Sequence, residues 1–104
     1  MKTYSAQSGY VYQYFYEGRR GVEYVFSISA DRNQWNDCSV FVEDETIRAW
    51  EQSNGRELTS SERYAIAKMS LFQAFDEREK PEFMKEPVRM SRQEAEAIIE
   101  TLDL

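Results

Sequence analysis

Tyr10-Val11-Tyr12-Gln13-Tyr14-Phe15-Tyr16-Glu17, followed by Val22-Glu23-Tyr24-Val25-Phe26-Ser27-Ile28-Ser29, decides the fold. Both segments alternate with period two. Tyr10, Tyr12, Tyr14 and Tyr16 therefore share one face of a strand, and Val22, Tyr24, Phe26 and Ile28 share one face of the next. Between them, Gly18-Arg19-Arg20-Gly21 is a hairpin signal. An odd-length loop sets Tyr16 across from Val22, Tyr14 from Tyr24, Tyr12 from Phe26 and Tyr10 from Ile28. In that register the large side chains lie on one side of the sheet, and a slip of one residue scatters them over both. Each such cross-strand pair contributes ~0.2–1 kcal/mol.

Working outward, residues 1–8 read as an N-terminal tail and residues 9–43 as an antiparallel sheet. Ala30 to Asp37 is polar and turn-rich. Cys38 to Val42 alternates again and forms a third strand, which completes a meander with short connections. Residues 44–104 change period. Asp44 can cap a short helix carrying Ile47 and Trp50 on one face, ended by Asn54-Gly55; a fourth strand is the competing reading of this stretch. Thr59-Ser60-Ser61-Glu62 is a capping box, opening a helix with Tyr64, Ala65, Met69, Phe72 and Phe75 at helical spacing, widened by Ile66 and Leu71. Residues 79–90, with Pro81 and Pro87, form a charged connector with a short extended piece at Val88-Arg89-Met90. Ser91-Arg92-Gln93-Glu94 is a second capping box, leading into Ile98, Ile99 and Leu102. The expected architecture is α+β: a three-stranded antiparallel meander followed by two or three helices packed on one sheet face, in a single domain spanning 1–104.

Composition narrows the function classes. The chain has 104 residues, no His and one Cys. Without His, Ser-His-Asp and Cys-His nucleophilic systems are excluded and the commonest zinc ligand is missing. Cys38 cannot form an intrachain disulfide and fits a reducing cytosol. Asp37 beside it opposes thiolate formation, so a buried structural thiol is expected. Met1 to Ser8 lacks the apolar segment of a signal peptide, and no apolar run reaches membrane-spanning length. The expectation is a cytoplasmic, soluble protein without cofactor or metal.

The formal net charge is −6, and residues 44–104 carry most of it, with nine Lys/Arg against fourteen Asp/Glu. Such a surface does not suit nucleic-acid backbone. Arg20-Gly21-Val22-Glu23-Tyr24-Val25 echoes an RNA-recognition strand, but Val22 and Ser27 stand where its stacking aromatics belong. Asp31-Arg32-Asn33-Gln34-Trp35 opens like a calcium loop. The sixth and twelfth places hold Asn36 and Val42 where Gly and Glu are needed, so a polar turn is expected. Gly18-Arg19-Arg20-Gly21 has no phosphate-loop pattern, though its two Arg can contact an anion. No carboxylate pair is placed across a cleft by the sequence pattern.

The tyrosine stripe admits two readings. It is either the core face beneath the helices or, if the helices cover the Val11/Phe15/Val25 side, an exposed aromatic surface. The candidate binding residues are therefore Tyr10, Tyr12, Tyr14, Tyr16, Arg19, Arg20 and Trp35. The leading expectation is a non-enzymatic protein-interaction module that meets a protein partner or a second copy of itself. The alternative is a small-molecule-binding or catalytic domain with a Tyr/Arg/Asp pocket between sheet and helices.

Overall fold

A computed structural model describes all residues, 1–104. The fold is α+β, with a five-stranded sheet in the order β1-β2-β3-β4-β5 and three helices. The strands are β1 (Lys2–Ser5), β2 (Val11–Arg20), β3 (Glu23–Ser29), β4 (Asn36–Phe41) and β5 (Val88–Arg89). The helices are α1 (Asp44–Asn54), α2 (Ser60–Glu77) and α3 (Arg92–Thr101), with a 3-10 turn at Pro81–Lys85. Strands β1 to β4 pair antiparallel, and β5 adds in parallel through Val40↔Val88 and Phe41↔Arg89. The expected meander is present, extended by one strand at each edge.

Residues 1–8 are not a tail. Lys2–Ser5 pairs with β2 through Tyr4↔Tyr12. Tyr4 donates its hydroxyl to Asp76 at 2.7 Å and stacks on Phe72 with ring centroids 4.3 Å apart. The Gln7 amide also donates to Asp76, and the Ser8 hydroxyl donates to the Phe75 carbonyl. These long-range ties carry no local periodicity, so a four-residue polar strand was invisible to pattern reading.

The hairpin register also differs from expectation, for a reason set by turn chemistry. The loop is Gly21-Val22, with Gly21 in the left-handed region at φ 58°. Two-residue hairpin loops require such a residue in their first place. The ladder leaving this loop pairs Arg20↔Glu23 and Arg19↔Tyr24. Continued unbroken, it would set Tyr16 against Ser27 and split the large side chains between faces. A bulge between Tyr16 and Gly18 corrects the parity, giving Tyr16↔Phe26 and Tyr14↔Ile28. Tyr16 thus faces Phe26 instead of Val22, but the face shared by the large residues is the one expected.

All three helices lie on that face. Tyr12, Tyr14, Tyr24, Phe26, Ile28, Cys38, Val40 and Val42 join Ile47, Ile66, Leu71, Phe75, Ile98 and Ile99 in one core. Residues 44–54 are helical, and Gly55 ends the helix with φ 66°. Its N-cap is Glu43, which makes no side-chain capping bond, so Asp44 is the first helical residue instead of the cap. Both capping boxes form reciprocally, at Thr59/Glu62 and Ser91/Glu94. The buried stripe of α2 is Ile66, Ala67, Ser70, Leu71, Ala74 and Phe75, turned from the expected line, while Tyr64, Met69 and Phe72 sit at its margin. Ala67, Ser70 and Ala74 are small enough to let α2 approach the sheet closely, and its close approach is to β4 and β5. The connector holds the 3-10 turn, fixed by Arg78, whose guanidinium donates to the carbonyls of Phe83, Glu86 and Pro87.

Candidate functional site

The tyrosine row is divided between core and rim. Tyr12 and Tyr14 are buried, the former stacked on Phe75 with centroids 4.1 Å apart. They are packing residues and cannot form a contact surface. Tyr10 and Tyr16 are 38% and 39% exposed at opposite ends of the row. Tyr16 meets Tyr64 edge-on. Arg19 and Arg20 are paired strand residues instead of a free tip. Arg19 donates to the Tyr24 hydroxyl at 3.5 Å and lies over its ring, while Arg20 pairs with Glu23 at 3.3 Å.

An exposed aromatic surface does exist, on the opposite side of the sheet. Strand alternation turns Val11, Gln13 and Phe15 of β2 away from the helices, with Ser27 and Ser29 of β3 and Asp37, Ser39 and Phe41 of β4. Val11 and Phe15 are 47% and 42% exposed. Trp35, immediately before β4, reaches the Phe15 ring with centroids 5.6 Å apart. Because β3 lies between their strands, that contact passes over Ser27, which is buried although no helix covers it. Arg89 lies 4.2 Å over Phe41 and contacts Glu43 at 3.4 Å, closing the far edge of the face.

The bulge gives this face its charge. It places the Glu17 carboxyl in hydrogen-bonding range of Asp37, and that contact, with some desolvation, lifts the Glu17 pKa above the ordinary carboxyl range. Neither carboxylate has a cation partner in the fold, whereas Glu23 on the same face has both Arg20 and the Ser39 hydroxyl, the latter at 2.6 Å. An unneutralised acidic pair therefore adjoins the Phe15–Trp35 pair. Glu17 was missed by sequence reading because a strict period-two strand gives no cause to set it beside β4. The bulge that does so answers a parity conflict visible only once the loop is known.

The remaining candidates have structural accounts. Asp31 accepts from the Asn33 and Gln34 amides at 2.8 Å each and from the Ser29 hydroxyl, and these bonds hold its pKa down. Arg32 takes φ 69° within that turn. Cys38 is fully buried, and desolvation pushes its thiol up to about 11, which makes it inert as a nucleophile. No cluster of three or more His, Cys, Asp or Glu side chains is arranged to hold a metal ion. No helix is long and apolar enough to cross a membrane. A surface cleft of about 440 Å³ between α1 and α3 combines Trp50 with Glu96, Glu100 and Asp103. No family model, curated protein or solved structure matches the chain.

Proposed function

We propose that the chain is a single-domain, non-enzymatic protein-interaction module whose helix-free sheet face docks a basic segment of another protein. The observation that carries this reading is the Glu17–Asp37 pair beside the exposed ring of Phe15 and the half-buried ring of Trp35. Two like charges held together without a cation oppose folding, and a Lys or Arg from a partner would relieve them. Aromatic rings beside the charge supply apolar area and a surface on which a guanidinium can stack. A second copy of the chain is the poorer occupant, because both copies carry a formal net charge of −6. A reducing cytosol suits the lone thiol of Cys38 and is the compartment we assign.

The test is a peptide-display selection on the wild-type domain, counter-selected against a Glu17→Lys/Asp37→Lys double variant. Enriched peptides should carry Lys or Arg flanked by apolar residues and should lose binding to Phe15→Ser as well. Enrichment without a basic residue, or equal binding to the double variant, would refute the assignment. Both sites are exposed, and matching circular dichroism spectra would show that the variants remain folded.

A further inference from the structure

The helix side of the sheet carries a second unneutralised pair of charges, of the opposite sign. Lys2 stands across from Tyr14 in the β1–β2 ladder, so both side chains rise from the same face. Lys68 reaches the same tyrosine from α2, with its Nζ 5.9 Å from the Tyr14 ring centroid and 5.7 Å from that of Phe72. The two ammoniums therefore gather at one ring. Burial, first, and then the Lys2 ammonium in hydrogen-bonding range hold the Lys68 pKa below its ordinary value. Neither lysine makes an ion pair within the chain.

The surroundings select the sign of a ligand. The segments that wall this spot, residues 2–5, 11–16 and 63–75, hold no Asp or Glu. The acids that flank them on α2 are both engaged. Glu62, ~9 Å from Lys68 along the helix axis, pairs with Arg56. Asp76, ~12 Å away in the other direction, accepts from the Tyr4 hydroxyl and the Gln7 amide. Arg63, the third cation of these segments, is engaged by Asp44 and Glu51. Tyr14 adds a donor. It is 4% exposed, and its hydroxyl makes no hydrogen bond within the chain; only the Tyr12 hydroxyl is both unpartnered and sealed from solvent, so that of Tyr14 opens to the surface. Burial, with Tyr64 adding, raises its pKa, so the phenol keeps its proton and can donate.

Two adjacent ammoniums are best matched by a dianion. A phosphate monoester carries about −1.5 to −2 charges at neutral pH and three acceptor oxygens, whereas a carboxylate carries one charge. Lysine meets such a group as a point charge, without the planar alignment that arginine imposes. We propose that Lys2, Lys68 and Tyr14 form a binding site for a phosphate group, with both ammoniums on its oxygens and the Tyr14 hydroxyl as third donor. The site lies on the helix side of the sheet and does not depend on the role of the helix-free face. Tyr4, tied to Asp76 and stacked on Phe72, anchors the strand that carries Lys2 and so pre-sets the site.

The experiment is an NMR titration of the ¹⁵N-labelled protein with sodium phosphate at constant ionic strength, above the second phosphate pKa of ~6. Sodium acetate and phenyl phosphate are separate probes. Phosphate should give saturable shifts at the amides of Thr3, Tyr14 and Lys68. Lys2→Gln, an exposed substitution, and Lys68→Gln should each weaken binding about tenfold, the loss expected for one charge-assisted hydrogen bond. Tyr14→Phe, which keeps the ring against Phe72, should weaken it by a smaller factor. Phenyl phosphate binding more tightly than inorganic phosphate would assign the site to an organic monoester, and binding no more tightly would assign it to the free ion. Absence of saturable shifts with both phosphates would overturn the proposal, as would full affinity in the two lysine variants. Acetate binding as tightly as phosphate would overturn the choice of a dianion, and full affinity in Tyr14→Phe would overturn the role of the phenol.

Discussion

Replacing Asp37 with Asn should make the protein more stable at neutral pH. Asp37 is exposed, and its carboxylate makes no hydrogen bond or ion pair within the fold other than the contact that perturbs Glu17. Two unit charges about 4 Å apart repel by ~1 kcal/mol in water. Solvent exposure and salt reduce the net effect to ~0.5 kcal/mol. For a domain of this size that is a rise of about 2–4 °C in Tm. The sign with pH follows from linkage. The folded-state pKa of Glu17 is raised, so the native state holds its proton more tightly than the unfolded chain does. Native stability from that proton is present below the ordinary carboxyl pKa and is lost as pH rises through the raised value. Asp37→Asn should therefore gain over wild type at about pH 7 and gain little at about pH 4. The gain should shrink in about 1 M salt. Urea denaturation at both pH values checks this. A loss of stability at neutral pH, or a gain independent of pH and salt, would show that the two carboxylates do not repel and would remove the main support for a basic partner.

Three further outcomes follow from the core and the caps. Phe75→Ala removes a fully buried ring stacked on Tyr12 and should cost ~3–5 kcal/mol, a large share of the ~5–15 kcal/mol available to a small domain, as read by urea midpoint. The Glu62 carboxyl, held at about 2 by the Arg56 guanidinium and the Thr59 amide, stabilises the fold above its ordinary pKa and loses that effect as pH falls toward 2. Glu62→Gln should accordingly flatten the acid limb of the stability curve, and Thr59→Ala should lower stability by ~0.5–2 kcal/mol at neutral pH by removing the helix cap.

Much of the fold was legible wherever a local rule acted alone. The period-two runs around Tyr12 and Phe26, the capping boxes at Thr59 and Ser91, and Gly55 as helix terminator each rest on near neighbours, and each stands in the structure. Legibility ended where distant residues decide. Strand β1 exists because Tyr4 reaches Asp76 and Phe72, 72 and 68 positions away. The buried stripe of α2 includes small residues at 67, 70 and 74, which a reading by hydrophobicity ranks below Met69 and Phe72. Of the candidate surface, Trp35 was visible as an aromatic in a polar turn. Its pairing with Phe15, on the strand face set against the tyrosines, required knowing which face the helices cover.

The bulge links fold to surface. Gly21 favours a two-residue loop, and the tyrosine row demands that Tyr16 lie across from Phe26; the two cannot both be met by an unbroken ladder. Inserting one residue reconciles them, and that residue must fall outside regular pairing. A small or neutral side chain would satisfy the backbone there. Glu17 adds a like-charge contact with Asp37 and no ion pair, which loop and register do not require. The backbone irregularity thus has a folding cause, while the carboxylate on it has none within the chain. Under the proposed function, that separation leaves the charge of Glu17 and Asp37 for a cation from a partner to meet.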